Sequence, residues 1–285
     1  MPTAKELVQS STSVFTLPEI YFRVREVVDA PDSTMDDLAD VLKLDPAISA
    51  RLLRLVNSPF YGFARQIDTI SRAVNLLGLQ AINDLVTATT VGRTFSGMTI
   101  QLMDAKKYWR KSVLCALLAS KIAKSCGVAD SERFFVEGLL RDIGHLVLYR
   151  SVPERAQSAL IEAEYLDGAL ADVEQSSIGC DFAEVGAELI HAWEMPIQIE
   201  QAVRYQLAPS EAGDFILHAS IVHLAGMAAD HEELEESRRP QALPFDPCSL
   251  STTQFAPTAL PALVVDAQAE LEDTLALVYP LALAA

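Results

Sequence analysis

Apolar positions along the chain recur at helical spacing, and no sustained alternation of the strand kind appears. Met35, Leu38, Ala39 and Leu42 form one stripe. Its N-terminal signal is Ser33 followed by Asp36 and Asp37, since acidic side chains favour the positive end of a helix. Pro46 opens the next helix, with Ile48, Leu52, Leu55 and Val56 inward and Arg51 and Arg54 outward. Asn57-Ser58-Pro59 stops it, with Asn57 as a cap or a bridge. A further helix runs from Ile70 to Leu77, where Gly78 supplies a left-handed cap, and another from Leu79 to about Phe95. Two long amphipathic helices are predicted near 102–126 and 132–150, and shorter ones near 153–167, 182–194, 196–207 and 214–236. Pro240, Pro244, Pro247, Pro257 and Pro261 then mark 237–261 as a linker that cannot stay helical. Leu263 to Val278 returns as an amphipathic helix that is marginal alone and must dock on the body or on a partner. The fold class is all-α.

Composition narrows the function classes. Half of the 285 residues are hydrophobic, which fits a globular chain. No apolar run approaches the roughly 18 residues that cross a bilayer, and Met1 to Thr16 lacks the apolar core of a secretory leader, so a cytoplasmic protein without a membrane partner is expected. Cys115, Cys126, Cys180 and Cys248 are scattered, as reduced thiols would be. The net charge of −17 would repel a phosphate backbone, so nucleic acid is not an expected partner. It is unevenly spread: residues 1–100 hold nine basic and eleven acidic side chains, residues 230–285 two and ten. Arg51, Arg54, Arg65 and Arg72 could make a local basic patch in the near-neutral part, although solvated helix-face charges are the simpler explanation. Phosphate-loop, dinucleotide-binding and G-x-S-x-G patterns are lacking, and Glu184 with Glu188 is an ordinary surface pair.

The stretch Gly138-Leu139-Leu140-Arg141-Asp142-Ile143-Gly144 resembles the Leu-Leu-His-Asp-Ile-Gly helix of the HD metallohydrolases, with Arg141 in place of the histidine. More of the chain is similar to the HDOD domain, the HD-related output domain of bacterial signalling proteins. The match runs through Leu17-Pro18, Asp45-Pro46, Arg51-Leu52-Leu53, Asn57-Ser58, Ile67, Ile70, Ala73 and Leu77-Gly78. It continues through Trp109, Ser112, Gly138 to Gly144, Glu184-Val185-Gly186, Trp193 and Pro196, covering roughly residues 15–230. The resemblance implies an N-terminal helical bundle packed on a helical portion like the HD phosphohydrolase core. The expected organisation is 1–100 for the first, 101–236 for the second, 237–261 for the proline-rich linker and 262–285 for a C-terminal docking helix. It also implies a signal-transduction role through contacts with other signalling proteins, such as response regulators or cyclic-dinucleotide enzymes.

An HD centre needs several His and Asp ligands from different helices. Against the HD and HDOD patterns, Lys111 stands for the first ligand, Arg141 for the second, Phe182 and Gln206 where further histidines are common, and Gly226 for a late Asp; Asp142 alone survives. Arginine has no lone pair for a metal. A rebuilt set of Asp142, His145 and His223 is a weak alternative. The expectation is therefore a chain with no catalytic residue, metal ligand or cofactor. Lys111, Arg141, Asp142, Phe182 and Gln206 then mark a vestigial cleft that is either a structural ion pair or, with surplus positive charge, a pocket for a nucleotide or other small anion. Phe182 and Leu207 read as fillers of the lost ligand space. A metal-dependent phosphohydrolase is the remote alternative.

Overall fold

The structure, a computed structural model, describes residues 1–11, 15–95, 100–166, 169–240 and 242–279. Among them there is no strand and there are fifteen α-helices. In chain order these are α1 (Ala4–Ser11), α2 (Glu19–Asp29), α3 (Met35–Lys43), α4 (Pro46–Val56), α5 (Ile70–Thr94), α6 (Ala105–Ser125), α7 (Phe134–Leu140) and α8 (Ile143–Ser151). Then come α9 (Pro153–Leu166), α10 (Leu170–Ser177), α11 (Phe182–Ala192), α12 (Ile197–Arg204), α13 (Ile216–Glu233), α14 (Pro247–Thr253) and α15 (Leu260–Val278). None is long and apolar enough to cross a membrane.

The chain divides into two compact units, the smaller of Thr16–Met98 with Asp266–Ala285, the larger of Met1–Phe15 with Thr99–Val265. In the smaller unit Val24, Leu38, Leu42, Leu52, Leu55, Val74 and Val86 build the core. The start of α3 differs from the sequence expectation by one residue. Thr34, not Ser33, is the N-cap, and it forms a reciprocal capping box with Asp37. Asp45 caps α4 through Ala47 N (2.9 Å) and Ile48 N (3.0 Å), with Pro46 in the first turn. Asn57 is a bridge: its Nδ2 donates to Leu53 O and Ile67 O, and its Oδ1 accepts from Ile67 N at 2.7 Å, closing the loop after α4. Gly78 (φ 83°) interrupts α5 as its left-handed geometry demands. Leu277 joins this core, and Leu271, Leu275 and Val278 are buried beside it in sequence, so the C-terminal helix docks on its own chain. Each such side chain contributes roughly 1.5–3 kcal/mol, enough to secure a helix marginal by itself. Residues 280–285 of the expected helix lie outside the described residues.

In the larger unit α6 lies against α7 and α13, α8 against α11, and α1 against α8 and α11. Trp193 Nε1 donates to Phe15 O at 2.7 Å, tying the N-terminal segment to the end of α11. The predicted helix 132–150 is broken: α7 ends at Leu140 and α8 begins at Ile143, with Asp142 at φ −98°, ψ 9°. Gly144 explains why α8 needs glycine there. A Cβ would run into Phe182 O and lie 2.6 Å from Gly186 N, so α8 and α11 meet backbone to backbone. The linker expectation for 237–261 is corrected by α14, in which Pro247 takes the first helical turn, where its missing N–H costs nothing, and Asp246 caps Ser249 N at 2.7 Å. This helix packs on α13.

A buried ion cluster at the break between two helices

The turn between α7 and α8 presents Arg141 and Asp142 together, and three other helical segments converge on them. Lys111 comes from α6, Gln206 from just after α12 and Asp230 from α13. Asp142 is 3% exposed. Its Oδ2 lies 2.7 Å from Lys111 Nζ, and its Oδ1 lies 3.3 Å from Arg141 Nη1. Arg141 Nη1 and Nη2 make a fork on Asp230 at 3.1 and 2.7 Å, and Lys111 reaches Asp230 at 3.1 Å. Arg141 Nε donates to Gln206 Oε1 at 2.9 Å, and Gln206 Nε2 returns to the carbonyls of Arg141 and Val203, both at 2.9 Å. Two cations thus share two carboxylates, and the amide fixes the guanidinium's orientation.

Electrostatics keeps all four groups charged. Burial opposes ionisation of Asp142, but Arg141 and then Lys111 hold its carboxyl well below the usual range. Burial works likewise against Arg141 and Lys111, and Asp142 with Asp230 overcomes it, holding both above their ordinary values. Asp230 is held low mainly by Arg141 against the same desolvation. Its side chain is 44% exposed, so the cluster has a buried end at Asp142 and a wet end at Asp230.

Lys111, Arg141, Asp142 and Gln206 are therefore brought together, and Phe182 is placed elsewhere. Its ring stacks on His145 (centroids 4.2 Å, 17°), whose Nε2 lies 3.4 Å from Glu174 Oε1. Leu207 fills nothing, being 44% exposed. Asp230 was missed at the sequence level, and it removes the surplus positive charge on which the anion pocket rested. Its signal was present: it stands four residues after Gly226, one turn along the same face of α13. Gly226 itself makes the room. A Cβ there would run into Arg141 Nε and lie 2.7 Å from Cζ.

These residues do not fit a divalent ion. The guanidinium lies against the backbone that should carry a late ligand, and Asp142 faces two cationic side chains. The rebuilt set fails as well. His223 Nδ1 donates to Gln206 O at 2.8 Å while its Nε2 accepts from Asp246 N at 3.3 Å, and His145 faces Glu174. Among the described residues no three His, Cys, Asp or Glu gather as a metal would need. Cys115 offers no nucleophile, since burial pushes its thiol up to about 12. Surface pockets of about 350 and 320 Å³ are lined by other residues, among them Tyr149, Arg150 and Glu154 in the larger unit and Arg23 and Asp45 in the smaller.

Known proteins resemble this chain in sequence and in fold. A relative from Treponema pallidum, described only as an uncharacterised protein, is 27% identical over 195 residues; the match takes in 66% of this chain but only 36% of that protein's length. A Shewanella amazonensis crystal structure, provisionally named a phosphohydrolase, superposes with a TM-score of 0.73 at 24% identity, covering 97% of this chain and 98% of the other. A Marinobacter aquaeolei structure, provisionally named for signal transduction, gives 0.68 at 20% identity, covering 96% and 65%. At these identities the two structures speak for the fold. The HDOD domain model matches residues 14–209, most of the chain, and the protein belongs to the HDOD domain family.

Proposed function

We propose that this protein is a non-catalytic regulator that acts in signal transduction through protein–protein contacts. The observation carrying the reading is Arg141. Its guanidinium, with Lys111, supplies from within the chain the positive charge that an HD hydrolase takes from a metal, and the surviving Asp142 is spent on it. A site of two cations and two carboxylates has no vacant charge to polarise a phosphoester or to attract an anion, which disfavours both the hydrolase and the nucleotide-sensor alternatives. The signalling role and partners such as response regulators or cyclic-dinucleotide enzymes rest on family membership.

The test is phosphodiester and phosphomonoester hydrolysis by the purified chain with manganese, iron(II) or zinc, alongside calorimetry with cyclic dinucleotides. No turnover above an Asp142→Asn control and no saturable heat is the expected result. Metal-dependent turnover lost in Asp142→Asn would refute the non-catalytic reading, and nucleotide binding lost in Lys111→Ala would replace it with the sensor.

A further inference from the structure

In the larger unit α9 inverts the usual order of a surface helix. The side chains it turns towards the body are small: Ala156 is buried, and so are Ala159 and Ala163, against Leu170 and Val173 of α10. Its larger apolar side chains face out. Tyr165 is 87% exposed and Ile161, one turn earlier, 61% exposed. A helix whose only contact is its own body carries the opposite pattern, with the large apolar residues inside. Single exposed apolar residues are common, but two neighbours on one helix face form a patch. Glu154 lies on that same face, and Glu162 and Glu164 flank it on either side. All three glutamates are exposed, and none has a cationic partner among the described residues. Arg155 is the one basic residue of the helix and stands near its start.

We propose that this face of α9 is a docking surface for a basic amphipathic helix of a partner protein. The partner's apolar stripe covers Ile161 and Tyr165, and its lysines or arginines pair with Glu154, Glu162 and Glu164. Three arguments favour that occupant. A tyrosine is large, stiff and has little side-chain entropy to lose, and a polar rim excludes water around it once the contact closes. The face of its ring also attracts a cation. Unpaired carboxylates on both sides of the apolar pair match cations and repel the other candidates. These are an anionic membrane surface, a nucleic acid, and a second copy of this chain, since a symmetric contact brings two copies of the same acidic rim together. The net charge of −17 draws a basic segment towards the protein before any contact is made. The proposal rests on the contact-mediated reading and adds the place and chemistry of a contact.

The experiment is fluorescence anisotropy with the full chain and a fluorescein-labelled amphipathic peptide, leucine on one helical face and lysine on the other. The same peptide with glutamate in place of lysine is the charge control. Saturable binding that weakens with salt is expected. It should drop roughly tenfold or more in Tyr165→Ser and in the double variant Glu162→Lys with Glu164→Lys. Leu44→Ser, which removes an equally exposed apolar side chain from the smaller unit, should bind as the parent does. Ile161 and Tyr165 are exposed, so their replacement tests the surface and not the core, and circular dichroism checks that the fold is kept. No saturable binding, equal binding by Tyr165→Ser, or equal binding of the glutamate peptide overturns the proposal. Two further measurements can overturn it by giving the face to another occupant. One is a dimer in sedimentation equilibrium that Tyr165→Ser abolishes, the other cosedimentation with phosphatidylglycerol vesicles that the same variant loses. A chain that binds no peptide and turns over no phosphoester would lose this surface and keep the contact-mediated role. Metal-dependent turnover would remove that role whatever the peptide does.

Discussion

Gly226 lies well inside α13, where glycine costs a helix about 1 kcal/mol relative to alanine. On propensity alone Gly226→Ala should stabilise the protein. Arg141 reverses the sign, because the new methyl group would collide with Nε and sit 2.7 Å from Cζ and 2.8 Å from Cδ. The guanidinium cannot retreat freely, since its fork holds Asp230 and its Nε holds Gln206. Overpacking costs about 1–3 kcal/mol, and a lost charged hydrogen bond about 1.5–3 kcal/mol. After the propensity gain, a net loss of about 2–4 kcal/mol is expected. Urea unfolding followed by tryptophan fluorescence is the suitable assay, because Trp109 and Trp193 both belong to the larger unit and report on it alone. In an Arg141→Ala background the obstacle is gone, and Gly226→Ala should be neutral or stabilising by up to about 1 kcal/mol. The double-mutant cycle therefore changes sign along one edge. If Gly226→Ala leaves the Arg141 protein as stable as the parent, the guanidinium does not fill that space and the argument for an internal cation fails.

Asp142→Ala should cost about 3–5 kcal/mol, since it leaves Lys111 and Arg141 underpaired in a buried place; a loss below about 1 kcal/mol in the same assay would contradict this. The depressed Asp142 carboxyl contributes stability that is complete above the unfolded value near pH 4 and is lost as pH falls below it. Asp142→Asn should correspondingly flatten the acid limb of a stability–pH curve, and an unchanged limb would count against the pairing. His223 is held neutral, burial lowering its pKa, so its support of Asp246 N and hence of α14 is present above about pH 6.5 and fades below. Hydrogen exchange at the start of α14, corrected for intrinsic rates, should quicken as the pH falls below about 6.5, and a pH-independent protection would refute the link. Trp193→Phe should cost about 1–3 kcal/mol through loss of the buried bond to the Phe15 carbonyl; a variant as stable as the parent would show that bond to be idle.

The helical class and most helix positions were legible because apolar spacing at α3, α4, α6 and α13 is strong, and packing agrees with it. What escaped was local chemistry that periodicity does not carry. Pattern alone runs 132–150 as one helix, because Arg141 and Asp142 are tolerated inside helices; at the break they meet three side chains that lie far away in sequence, Lys111, Gln206 and Asp230. The prolines of 237–261 read as a barrier to helix, although Pro247 at a first turn starts one. For the site, Lys111, Arg141, Asp142 and Gln206 were found by their motif positions. Asp230 was not, because it occupies no motif position and only the helix period puts it under Gly226. Phe182 fell away for the opposite reason, since its motif position says nothing about which way the ring faces.

Arg141 standing beside Gly226 also changes what can act on this protein from outside. A bound ion obeys mass action, so its occupancy follows the supply of free metal and the chelators that compete for it. A guanidinium on a covalent side chain has no dissociation constant and arrives with every folded molecule. The positive charge that Lys111 and Arg141 give the cluster therefore does not depend on the supply of metal.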